Sequence, residues 1–427
     1  MHHRRFLGAV VITSAFVVTS VPALAQTFAG GAVLVERARG DVRYLADDRL
    51  EGRGVGTAGL DSAAAYVARR FAAIGLTPAG TDGYFQDFTL DPTAPALAHS
   101  GLESAAVRNV VGLLPGRGRL ADEVVVLGAH YDHLGYGGPG SLDPDSTGVV
   151  HNGADDNASG TAALMAAATL LSRHEPADRR AFLFIAFTAE ELGLLGSEHF
   201  TRNPTRDLSS AYAMINFDMV GRLSGDSLMA IGTNSAEELP GLLEAANREY
   251  GLAIAGSGDP WGRSDQSSFY AQGIPVVHFF TNTHEDYHRT TDDWQRINAD
   301  GLVRVAELAS DLAWTLATRE EPLTFVEVAA PVQATSGGYG AWLGTIPDMS
   351  ESPGGVRLSG VRAGSPAESA GMQAGDIIIQ LGTFEVKDLY GMTDALRSYK
   401  PGDTITVVVL RDGERLELEA TLGTRGD

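Results

Sequence analysis

VVVLGAHYDH, residues 124–133, sets a valine-rich apolar run directly ahead of a glycine, two histidines and a carboxylate. Such a run suits a strand buried on both faces, and the polar residues after it fall at the strand's carboxyl end. Downstream, FLFIAFTAEE (182–191) ends in Glu190 and Glu191, and AMINFDMVG (213–221) carries Asp218 just past its apolar part. Helical patterns separate these runs, one over Ala158 to Leu171 and one after Glu190. The alternation predicts an α/β fold with a mostly parallel central sheet and helices on both faces. Ligands bind such sheets beyond the carboxyl ends of the strands, so His130, Glu190, Glu191 and Asp218 are expected at one edge. Upstream, Val42 to Leu76 reads as an amphipathic helical lead-in broken by the glycines around Gly54, with Asp61 as a candidate cap for its second helix.

The chain has 427 residues and a 44% apolar fraction, too long for one ordinary domain and too apolar for general disorder. With no cysteine there are no disulfides, so stability must come from a large core, to which a bound metal could add. A net charge of -22 disfavours nucleic acid as a partner. The first residues pair a basic start at Arg4 and Arg5 with an apolar stretch from Leu7 to Val21 and the small-residue site Ala23-Leu24-Ala25. This pattern predicts a signal peptide over residues 1–25, cleaved near Ala25, and a periplasmic or secreted mature chain without a membrane span. Composition then divides the remainder into a domain over 26–320, a linker over 321–335 rich in proline, alanine and glycine, and a small β-rich domain over 336–427.

Two further segments carry chemistry: HNGADDNASG (151–160) with Asp156 and DYHRTTDDW (286–294) with His288. Carboxylates and imidazoles without thiols suit hydrolytic divalent metals, zinc first among them. A hydrolytic metal pair needs ligands for each ion, a carboxylate that bridges them and a base that is not itself a ligand. Candidates exist for every role. His284 competes with His288 for the last ligand position, Asp155 reads as a supporting group, and His133, His151 and His278 take no assigned part.

These motifs, in this order from Val42 to Leu316, resemble the M28 family of dizinc aminopeptidases. The resemblance implies two zinc ions per chain, one held by His130 and Asp218, the other by Glu191 and His288, with Asp156 bridging. It makes Asp132 the carboxylate that orients His130, Glu190 the general base for a metal-bridging hydroxide, and Tyr287 a donor to the oxyanion. The substrate it implies is the N-terminal bond of peptides or proteins. Two departures stand out. Gln266 in GRSDQSSF occupies the place of a family histidine after Asp265, and the stretch between Leu90 and Asn109 is too short for the protease-associated domain that relatives insert there.

The last domain resembles a PDZ domain. AWLGTI (341–346) looks like its carboxylate-binding loop, which assigns Trp342, Leu343 and Gly344 to a C-terminal peptide ligand, and GSPAESAGMQAGDIIIQLG (364–382) resembles the segment typical of these modules. Packing against the catalytic domain is the alternative for it. For the whole chain the alternatives are a carboxypeptidase-type or other hydrolase of the same fold, and a catalytically silent scaffold acting through the PDZ domain. Loss of Glu190 or of any ligand would point to the scaffold; all are present.

Overall fold

The structure, a computed structural model, describes residues 23–90, 105–328, 341–348 and 354–423, apart from residues 139, 144, 145, 147, 175, 176, 257, 263, 363 and 388. Most of the expected signal peptide, residues 329–335 of the expected linker and the stretch where an insert would fall lie outside the described residues.

The first domain is built on strands β1 (Thr77–Pro78), β2 (Phe85–Thr89), β3 (Ala106–Leu114), β4 (Val124–His130), β5 (Ala181–Phe187), β6 (Ala211–Phe217), β7 (Ser227–Ile231), β8 (Ala253–Ala255) and β9 (Val276–Phe280). They form one sheet in the order β1-β3-β5-β4-β6-β9-β7-β8, with β2 paired to β3. The inner strands β5, β4, β6 and β9 are parallel, whereas β3 joins β5 and β7 joins β9 antiparallel. The four strands nearest the chemistry therefore present their carboxyl ends on the same side.

Strand β5 shows why the sheet sits between helices. Phe182, Phe184 and Ala186 enter the core against helices α1 (Ala23–Leu45), α2 (Ala58–Ile74), α3 (Gly160–Leu171), α5 (Leu239–Asn247) and α7 (Ala299–Thr318). The alternate residues Leu183, Ile185 and Phe187 face the opposite layer, with Phe200 of α4 (Leu195–Arg202) and Phe269 of α6 (Gln266–Tyr270). With both faces buried, an uninterrupted apolar run is what the strand requires.

Two boundaries differ from expectation. Helix α2 is capped by Thr57, whose hydroxyl accepts from the Leu60 amide at 3.2 Å, and Asp61 lies inside its first turn. Thr57 has the extended backbone a capping residue needs, which Asp61, already helical, does not. The first domain also runs past residue 320: Val326 N–H donates to Ser235 O at 2.9 Å, and the Phe325 ring stacks on Tyr270 with centroids 5.3 Å apart. Residues 321–328 thus belong to this domain and not to a linker.

The second domain has strands β10 (Thr345–Pro347), β11 (Val356–Val361), β12 (Ile377–Leu381), β13 (Phe384–Glu385), β14 (Thr404–Arg411) and β15 (Glu414–Thr421), all paired antiparallel, with helices α8 (Pro366–Ser369) and α9 (Leu389–Arg397). It has its own core around Leu343, Leu358, Ile378, Val407 and Val409. The Asp412-Gly413 turn joins β14 to β15 with both residues at positive φ, 52° and 84°, the geometry of a tight hairpin. Among the described residues no helix is long and apolar enough to cross a membrane.

Candidate metal centre

The carboxyl ends of β4, β5 and β6 bring His130, the Glu190-Glu191 pair and Asp218 together. Asp156 reaches them from the irregular turn Ala154–Ser159 that precedes α3, and His288 from the loop after β9. Asp156 divides its two oxygens. Its Oδ1 lies 3.4 Å from His130 Nε2, and its Oδ2 lies 3.0 Å from His288 Nε2. Asp218 Oδ1 is 3.3 Å from His130 Nε2, and Glu191 Oε2 is 3.3 Å from His288 Nε2. Two donor groups therefore share one carboxylate. Glu190 stands apart, with Oε2 3.9 Å from His130 Nε2.

Each of these groups is fixed from behind. His288 Nδ1 lies 2.8 Å from Gly140 O, so donation to that carbonyl leaves Nε2 as the ring nitrogen facing the carboxylates. Thr161 Oγ1 donates to His130 O at 2.7 Å. Asp132 accepts from the backbone amides of Glu190 at 3.1 Å and Glu191 at 3.3 Å, while its Oδ1 faces His130 Nδ1 at 3.7 Å. Its hydrogen bonds therefore hold the Glu190-Glu191 backbone more than the imidazole. The Tyr287 ring stacks on His288, with centroids 3.9 Å apart.

The backbone is strained where it delivers these side chains. Ala189 (φ 55°), Met219 (φ 50°) and His288 itself (φ 55°) are left-handed non-glycine residues, each beside or at a site residue. Such conformations cost about 1–3 kcal/mol apiece and persist only where the surroundings impose them.

Electrostatics show a surplus of buried negative charge. Burial, with Glu191, Asp218 and Asp265, drives Glu190 well above the usual carboxylate range against the pull of His130. Glu191 goes the other way: burial opposes its charge, yet His288 and His133 hold it well below that range. His130 and His288 resist burial and sit well above the ordinary imidazole value because Glu190 and Asp218 surround the first and Glu191 and Asp156 the second. Protons on the imidazoles thus balance carboxylates that a cation would otherwise balance. Oxygen and imidazole donors of this kind, split by one shared carboxylate, fit a pair of divalent ions.

Of the unassigned residues, His284 Nε2 pairs with Asp155 Oδ2 at 3.0 Å, and Asp155 Oδ1 accepts from Gly221 N–H at 2.7 Å, so both brace the loops and stay out of the centre. His151 lies 2.7 Å from Ser141 Oγ within the 134–151 loop. Gln266 is buried beneath the site, its Oε1 2.9 Å from His278 Nδ1 and 3.3 Å from Asn216 Nδ2. Asp265, also buried, is pushed up to about 7 by burial, with His130 opposing.

Three supporting residues escape a reading of sequence. Arg53 is fully buried, and its guanidinium donates to the carbonyls of Leu45, Tyr131, Asn152 and Gly153 at 2.7–2.8 Å, tying the segment that carries His130 to the one that carries Asp156. Asn157 spans Asp218 by donating to Phe217 O at 2.9 Å and accepting from Met219 N–H at 3.1 Å. Asp292 Oδ2 accepts from the Asp155 and Asp156 amides at 2.8 and 3.1 Å. Asn157 and Asp292 stand inside quoted motifs; Arg53, in a glycine-rich break, carries no signal.

Arg53→Met leaves four carbonyls without their donors; at ~1–3 kcal/mol for a buried group left unpaired, we expect a loss of at least ~3 kcal/mol, read from urea unfolding. His278 is held down at about 4 by burial, against an ordinary value of 6.5. Its neutral form favours the fold, so its contribution is complete above the unfolded value and is lost as pH falls from 6.5 through about 4. That loss is expected to approach ~3 kcal/mol, measured as a steeper fall in unfolding midpoint for the wild type than for His278→Gln.

Residues 109–313 match the Peptidase family M28 profile, and residues 341–422 match that of the PDZ domain. The chain therefore carries an M28-family peptidase domain followed by a PDZ domain. Among curated proteins it is similar to aminopeptidase YwaD of Bacillus subtilis, 25% identical over 224 residues that cover 50% of this chain and 46% of that one. The chain spans about half the length of the curated relatives it matches. Among solved structures, BSAP, a zinc aminopeptidase from Bacillus subtilis, has a TM-score of 0.54 at 18% identity, covering 69% of this chain and 98% of that one. A glutaminyl cyclase from Bacteroides thetaiotaomicron also has a TM-score of 0.54, at 19% identity, covering 66% of this chain and 97% of that one. Both likenesses establish the fold.

In the PDZ domain, Trp342 N–H donates to Gly423 O at 2.8 Å and Leu343 is buried in the core. The Trp342 amide is thus engaged in strand pairing. Gly344 has φ of 82°, and a Cβ there would lie 2.2 Å from that of Ser365, so the turn admits only glycine.

Proposed function

We propose that this protein is an exported zinc aminopeptidase that removes N-terminal residues from peptides, and that its PDZ domain binds the C-terminal carboxylate of an extended peptide. The observation that carries the reading is Asp156, whose two oxygens face different histidines while Glu190 stays outside both donor groups. The names of the curated relative and of the zinc aminopeptidase neighbour support the substrate class. The shared carboxylate favours two ions, and a pair of divalent ions suits hydrolysis.

His130 and Asp218 would hold one zinc, Glu191 and His288 the other, with Asp156 common to both. Zinc there supplies a Lewis acid and a water acidified to about neutral pH. Glu190 takes the proton of the attacking water and delivers it to the leaving amine nitrogen. Asp132 keeps the Glu190 and Glu191 backbone in register for this exchange. Burial, with Asp156 and Glu191 beside it, holds the Tyr287 phenol protonated, and a protonated phenol can donate to the oxyanion at a worth of ~3 kcal/mol.

The test is hydrolysis of leucyl nitroanilide by the full chain beside its N-acetylated form. Turnover of the free amine alone supports the reading; cleavage of the blocked compound, or of internal bonds in blocked peptides, overturns exopeptidase action. For the PDZ domain, binding of a free-carboxylate peptide but not its amide is expected, by fluorescence anisotropy.

A further inference from the structure

His133, three residues after His130, belongs to neither ion in the proposal above. Its ring is buried, and its Nδ1 lies 2.7 Å from Glu191 Oε1 and 3.9 Å from Asp156 Oδ2. Glu191 therefore meets a different imidazole with each oxygen, His133 through Oε1 and His288 through Oε2. The two rings stand edge to face with centroids 5.7 Å apart. Building on the two-ion reading, we propose that His133 Nδ1 is a further ligand of the ion held by Asp156, Glu191 and His288, so that one half of the centre carries two imidazoles and the other only His130.

The spacing of the donors carries this. Bonds of about 2.0–2.1 Å in a tetrahedral arrangement place neighbouring donor atoms about 3.4 Å apart. Of the donor pairs among these residues, His133–Glu191, His288–Asp156 and His288–Glu191 are 2.7, 3.0 and 3.3 Å apart, near that value, and His133–Asp156 is longer at 3.9 Å. One donor atom each from His133, Asp156 and Glu191 lie within 4.8 Å of one another, as do those of His130, Asp156 and Asp218. His133 is thus placed as His130 is, at a corner of the donor set and not behind it.

The surroundings point the same way. His133 Nε2 is buried with no hydrogen-bond partner among the described residues, so the ring does not relay a contact from Glu191 to a group behind it. The ring is admitted by Gly153, where an added Cβ would lie 2.4 Å from His133 Cγ and Cδ2. The His133 amide donates to Arg53 O at 3.2 Å, which sets the bend that follows β4. One strand end thereby feeds both halves of the centre, His130 into the first and His133 into the second.

The experiment is cobalt titration of the metal-stripped full chain, followed by its visible absorption, for wild type, His133→Ala and His133→Gln, with zinc X-ray absorption on the same proteins. Loss of an outer partner costs about 10–100-fold in affinity, and loss of a ligand should exceed that. We expect His133→Ala to weaken one of two cobalt sites by more than about 100-fold, glutamine not to restore it, and the absorption fine structure to change from three imidazoles shared by two ions to two. Restored affinity in His133→Gln with an unchanged imidazole count would overturn the proposal and leave His133 as a hydrogen-bond donor to Glu191. Two ions bound equally by wild type and His133→Ala would also overturn it, whereas a wild type that binds no ion would bring down the two-ion reading and this proposal together. If His133→Ala does not fold, the wild-type count alone decides, three imidazoles supporting the proposal and two contradicting it.

Discussion

Glu190→Gln is expected to lower kcat by about 10²–10⁴-fold while leaving zinc content and unfolding temperature close to those of the wild type. Glutamine keeps the size of the side chain and the backbone hydrogen bond by which Glu190 N–H donates to Asp132, so the strand end is not disturbed. What it removes is a carboxylate whose proton affinity is raised by burial and by Glu191, Asp218 and Asp265. Since Glu190 Oε2 is the most distant of the carboxylates around His130, its loss takes nothing from either donor group. Steady-state kinetics beside elemental analysis checks this. A parallel fall in metal content would make Glu190 a ligand.

The second large effect is expected at Asp156. Asp156→Ala should remove both ions together, since one oxygen faces each histidine, and should reduce turnover to background. The stability change separates this from simple damage. In the metal-free chain burial and Glu191 raise Asp156 while His288 and His133 pull it down, so each zinc-loaded protein is compared with its own stripped form. With zinc at a hundred times its dissociation constant the wild type should gain about 2.7 kcal/mol per site and the variant nothing. Thermal unfolding with and without zinc reads the difference. A variant that keeps one ion would show that Asp156 serves one site and does not bridge.

Much of this centre was legible because the residues that hold it follow apolar strands. His130, Glu190, Glu191 and Asp218 end β4, β5 and β6, and strand ends in a parallel sheet are visible as the point where an apolar run stops. His288 was separable from His284 only through the resemblance of its surrounding motif, and the structure sends the two rings to different carboxylates, Asp156 and Asp155. The antiparallel joins of β3 and β7 were not foreseen, because pairing direction depends on the connection and not on the strand's own residues. Arg53 was invisible for a related reason. Its partners are backbone carbonyls up to 100 positions away, and carbonyls leave no trace in side-chain identity. The left-handed backbone at Ala189 and Met219 is likewise imposed by packing, since neither is a residue that seeks it, unlike the histidine at 288.

The proposed centre is a buried pair of metal sites that share Asp156 and act on peptide N-termini. Its most direct test is calorimetric titration of zinc into the metal-stripped full chain, with leucyl nitroanilide hydrolysis measured on the same samples at each addition. Two ions bound per chain are expected, with turnover that rises only as they bind. A chain that binds no zinc, or that turns over equally well when stripped, would contradict it.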